Sequence, residues 1–111
     1  MKLSCEDYGQ LSVLTLAGEL TIESVEPLEK LAKEKITKQT RDFVLDVTGL
    51  EFIDSRGLEA VLWMQEAVGE NLGQVRLAAV HDNVRKILEM TRLAARFDAH
   101  PDVDSAIRSL R

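Results

Sequence analysis

The stretch Val44-Leu45-Asp46-Val47-Thr48-Gly49-Leu50-Glu51-Phe52-Ile53-Asp54-Ser55-Arg56-Gly57-Leu58 carries most of the fold information in this chain. Asp42–Val47 contains the short apolar run Phe43-Val44-Leu45, which fits a strand buried on both faces. Thr48–Ile53 reads as a loop, and Asp54-Ser55-Arg56-Gly57 as a sharp turn into a helix. Leu58, Val61, Leu62, Gln65 and Val68 then recur at helical spacing. In such a turn Ser55 sits at or next to the N-cap, its hydroxyl beside N–H groups that have no partner within the helix. Gly57 permits a second chain segment to approach closely.

Upstream, Leu11–Ala17 is a β-rich run ended by Gly18, and Gly9-Gln10 is a tight turn joining it to Lys2–Tyr8 as a hairpin. Thr21 is placed to cap a helix marked by Val25, Leu28, Leu31, Ala32 and Ile36. Downstream, Gln74–Val80 is a strand and Asp82 or Asn83 caps a helix with Val84, Ile87 and Leu88 inward. Ala95–Asp98 reads as a short edge strand. Val103, Ala106, Ile107 and Leu110 form a last short amphipathic helix. The expected order is β-β-α-β-α-β-α-(β)-α. This is an α/β fold with a mixed sheet of four to five strands and about four helices, in one domain over residues 1–111.

Composition narrows the function classes. With 45% hydrophobic and 30% charged residues, the chain can bury a core. Its net charge of −5 disfavours broad attraction to nucleic acid or anionic lipid, so a protein partner is expected. Cys5 stands alone, and the two histidines, His81 and His100, are too few and too separated for a metal site. No Gly-x-Ser-x-Gly elbow surrounds Ser55, and there is no phosphate-binding loop or dinucleotide fingerprint. We therefore expect a non-enzymatic module with no cofactor. Acidic residues near the N-terminus and the lack of any long apolar run lead to a cytoplasmic expectation. Lys30, Lys33, Glu34, Lys35 and Lys38 read as a solvated helix face. Ala60, Trp63, Met64 and Ala67 make a second apolar stripe on the central helix, expected either to be covered by neighbouring helices or to offer Trp63 and Met64 to a partner or a second copy.

The segment 44–58 resembles the signature of STAS domains, the family of bacterial anti-sigma factor antagonists. Leu16-Ala17-Gly18-Glu19-Leu20 and Val84–Leu93 extend the resemblance over essentially the whole chain. It implies that Ser55, the serine directly after the aspartate, is a phosphorylation site for an anti-sigma factor that is itself a serine kinase. Unmodified, the domain would bind that kinase and free a sigma factor; phosphorylated, it would let go, and a phosphatase would reset it. The resemblance also implies that Thr21, Asp54, Arg56, Gly57 and Leu58 surround the contact, and is compatible with a monomer or weak homodimer. Two positions depart from the family pattern. Thr21 stands where an aspartate is common, and Arg56 where a small residue commonly follows the serine. The alternative is a constitutive adaptor subunit of a transporter or stress-signalling complex, with Ser55 serving only as a helix cap.

Overall fold

A computed structural model describes residues 1–110. Five strands and four α-helices alternate after an opening hairpin: β1 (Lys2–Tyr8), β2 (Leu11–Leu20), α1 (Val25–Thr37), β3 (Asp42–Ile53), α2 (Ser55–Glu70), β4 (Val75–Ala78), α3 (Asp82–Met90), β5 (Ala99–His100) and α4 (Val103–Arg108). The sheet order is β1-β2-β3-β4-β5. β1 runs antiparallel to β2, and every other pair is parallel, so the sheet is mixed as expected.

Strand alternation assigns the two faces. Leu14, Leu16, Leu45, Val47 and Leu77 enter the larger core with Leu28 and Ala32 of α1, Val61, Met64 and Val68 of α2, and Val84 and Leu88 of α3. Val13, Val44 and Ala78, one residue out of phase, face the opposite side and pack against Ala106 of α4. The paired registers Val13↔Val44 and Leu14↔Leu45 keep like with like across the layer.

The structure corrects several boundaries. Gly18 does not end β2. At a φ of 103° it lets the strand continue to Leu20, through register shifts between Thr15 and Ala17 and between Gly18 and Glu19. Thr48–Ile53 is likewise strand rather than loop, because pairing resumes at Ala17↔Gly49 and holds to Leu20↔Ile53. Both strands therefore reach further toward the start of α2 than their apolar runs suggest.

Caps move as well. Thr21 does not cap α1; its carbonyl accepts the N–H groups of Ser24 and Val25, and this extra turn hands the N-cap position to Ser24. His81, not Asp82 or Asn83, caps α3, with Nδ1 accepting the Asn83 N–H at 3.2 Å. Ala94–Arg96 is a 3₁₀ turn, so the edge strand falls at Ala99–His100 instead of Ala95–Asp98. Lys35 is not part of a solvated face: it is mostly buried and donates to Asp7 at 2.7 Å.

Candidate functional site

The C-terminal ends of β2 and β3 lie side by side at Leu20↔Ile53, and the chain turns there into α2. In sheets of parallel strands this end is where binding sites collect. Asp54, in extended backbone, is the N-cap of α2. Its Oδ1 accepts the Gly57 N–H at 2.8 Å, and its Oδ2 accepts the Ile22 N–H at 3.1 Å. Its own N–H donates to the Leu20 carbonyl at 3.1 Å. The Gly57 N–H, then the Ile22 and Arg56 N–H groups and the nearby Arg56 charge, hold the Asp54 carboxyl below the usual carboxylate range.

Ser55 is the first residue of α2 and is exposed. The capping role that its sequence position allowed belongs to Asp54, one residue earlier. Ser55 is left with its hydroxyl at the solvent face of the helix start. The first i→i−4 bond of α2 is made by Leu58 N–H to the Asp54 carbonyl at 2.9 Å, so the N–H groups of Ser55 and Arg56 precede the regular ladder. An anion attached to Ser55 meets donors and the positive end of the helix there. Arg56 adds a nearby cation, exposed and only loosely engaged with Glu59 at 3.7 Å.

The remaining expected residues divide. Gly57 and Leu58 are buried and shape the turn. A β-carbon on Gly57 would lie 2.3 Å from the Leu20 carbonyl oxygen, so only glycine lets α2 start this close to β2. Met64 is fully buried in the larger core, which corrects the expectation that it faces a partner: α1 and the sheet cover that side of α2. Trp63 is partly buried, with Lys33 Nζ 5.5 Å from its ring centroid. Its open edge lines a surface cleft with Glu59, Leu62, Gln65 and Glu66. Thr21 is half-buried, and the next residue is tied to Asp54.

Two residues at this end were not singled out from the sequence. Ile22 is 63% exposed and Phe52 is 43% exposed, both large apolar side chains beside the start of α2. The available signal was an isoleucine isolated in the polar run Thr21-Ile22-Glu23-Ser24, off the helical stripe that begins at Val25.

The chain is 28% identical over 91 residues to BtrV of Bordetella bronchiseptica, provisionally named an anti-sigma factor antagonist, covering 82% of this chain and 78% of that one. It is 24% identical over 111 residues to the anti-sigma F factor antagonist of Paenibacillus polymyxa, covering 99% and 92%. Among solved structures, SpoIIAA superposes in its unphosphorylated form with a TM-score of 0.83 at 21% identity, covering 97% of this chain and 96% of that one. The phosphorylated form of SpoIIAA from Bacillus superposes at 0.77, again at 21% identity, covering 99% and 100%. The fold also recurs within the murine anion transporter Slc26a9, at 0.78 and 16% identity over 95% of this chain and 18% of that one, so fold by itself does not select a task. The STAS domain family model matches residues 2–106, nearly the full length, and the chain belongs to the STAS domain family.

Proposed function

We propose that this chain is an anti-sigma factor antagonist that works by partner switching, with Ser55 as the switch. The unmodified domain binds an anti-sigma factor that is also a serine kinase. Phosphorylation of Ser55 by that kinase releases it, and a phosphatase restores binding. The domain acts as a binding module rather than an enzyme.

One observation carries the reading: Ser55 is exposed at the head of α2 while Asp54 does the capping. A serine whose hydroxyl the fold does not use for its cap can be modified without unfolding the helix. Phosphate adds about 1.5–2 negative charges, which the helix start tolerates through its N–H groups and dipole. A partner docked over the same surface must desolvate or repel that charge. If this costs about 3 kcal/mol, affinity falls roughly a hundredfold. The exposed edges of Ile22 and Phe52, Arg56, Thr21 and the open side of Trp63 supply the contact around Ser55. Relatives named as anti-sigma factor antagonists support the same role.

Pull-down from the source cell's lysate with wild type, Ser55→Ala and Ser55→Glu tests this against a constitutive adaptor. Partner switching expects a kinase of the anti-sigma type, identified by mass spectrometry, on the first two baits and absent from Ser55→Glu. Retention of the same partner by all three baits would make the module a fixed adaptor.

A further inference from the structure

The two oxygens of the Asp54 carboxylate serve two different pieces of the chain. Oδ1 closes the first turn of α2 on Gly57, whereas Oδ2 reaches across 32 residues of sequence to the Ile22 N–H. The segment 21–24 is otherwise knit to itself and to Glu19. Thr21 N–H donates to Ser24 Oγ, Ser24 Oγ–H to the Glu19 carbonyl, and the Ser24 and Val25 N–H groups to the Thr21 carbonyl. Among the described residues, the Ile22–Asp54 bond is the one hydrogen bond joining this segment to the start of α2. Ile22 is 63% exposed, so core packing does not fix its side chain, and its place depends on how its backbone is held.

We infer that Asp54 is a positioning residue that carries the state of Ser55 to Ile22: phosphate on Ser55 weakens the Oδ2 arm and frees segment 21–24. A phosphate dianion on the adjacent residue repels the carboxylate. Its oxygens also compete for the N–H groups of the first turn. The Oδ1 arm accepts from the helix's own N–H within the favourable dipole field. The Oδ2 arm accepts from a loop N–H at an exposed position, which water satisfies at little cost once the bond opens. The Oδ2 arm therefore yields first. Arg56, held only loosely by Glu59, swings to the phosphate and does not replace the lost link. On the partner-switching reading, on which the functional meaning of this coupling rests, phosphate acts twice. It places charge in the interface, and it takes an apolar contact out of its fixed position.

The test is amide hydrogen exchange followed by ¹⁵N NMR on the full chain, with serine or genetically encoded phosphoserine at position 55. Exchange of the Ile22 amide is expected to accelerate about tenfold on phosphorylation while the Gly57 amide stays slow, the size expected for losing one charge-assisted bond. Unphosphorylated Asp54→Asn should reproduce the Ile22 effect alone, because the amide keeps one acceptor for the cap and presents a donor where Oδ2 was. Equal Ile22 exchange in the serine and phosphoserine proteins would overturn the proposal. So would Ile22 and Gly57 accelerating together, which means the helix start frays as a unit. The serine–phosphoserine comparison stands even where Asp54→Asn folds poorly. No partner is present, so an Ile22 response alongside unchanged partner affinity would defeat partner switching and leave the coupling intact.

Discussion

A β-carbon placed on Gly57 would lie 2.3 Å from the Leu20 carbonyl oxygen and 2.7 Å from Cγ1 of Ile53. Neither atom can give way cheaply, because Leu20 is held by the Asp54 N–H and both strands end in the core. Gly57→Ala should therefore cost about 1–3 kcal/mol, the range of an overpacked site, read as a lower urea midpoint with an unchanged slope. An unchanged midpoint would mean that α2 can start further from β2. The same neighbourhood shows what single residues reveal in sequence. An aspartate followed by serine and a glycine before an apolar helix was legible as a helix start because capping is local. The choice of Asp54 over Ser55 as the cap was not, since both side chains offer an acceptor at the right place. The Ile22–Asp54 bond was invisible because its partners are 32 residues apart and no local spacing encodes them.

At the scale of elements, α2 illustrates how an apolar stripe misleads. Met64 and Trp63 are neighbours in sequence, but α1 and the sheet enclose Met64 completely while leaving one edge of Trp63 open. Met64→Ala should cost about 2–5 kcal/mol as a buried cavity, and Trp63→Ala distinctly less, in parallel denaturant melts. A larger loss at Trp63 than at Met64 would contradict this assignment of faces. The strands were legible where their apolar residues run together, as in Phe43-Val44-Leu45. They were missed where pairing continues through bulges: beyond Val47 buried residues recur only at Leu50 and Ile53, separated by exposed pairs, so neither strand nor helix periodicity shows. The caps of α1 and α3 slipped by one to three residues because a turn and a cap compete for the same polar side chains.

At the scale of the whole molecule, three carboxylates among the described residues are held below their ordinary range. Asp7 is lowered to about 2, first by the Lys35 ammonium and then by the Ser12 hydroxyl and the Cys5 thiol. Asp54 is lowered by the Gly57 N–H first, and Asp102 by the Ser105 N–H first. Each folded value lies below its unfolded value, so the stabilisation is present above the unfolded value of about 4 and is lost as pH falls through the folded value. The melting temperature should hold from pH 7 to about 5, then drop toward pH 2. Asp7→Asn should flatten the part of that fall near pH 2, where the Asp7 contribution is lost. A melting temperature that rises on acidification would contradict these assignments. The same whole-molecule view explains why the site is where it is. The C-terminal ends of β2 and β3 bring the 21–24 segment against the start of α2, and α4 closes the opposite face of the sheet over Val13, Val44 and Ala78.

The most direct test of Ser55 as the switch is the affinity of the purified anti-sigma kinase, measured by titration calorimetry, for this domain carrying serine or phosphoserine at position 55. Partner switching predicts tight binding to the serine form and a loss of roughly a hundredfold or more on phosphorylation. Equal affinity for the two forms would contradict it.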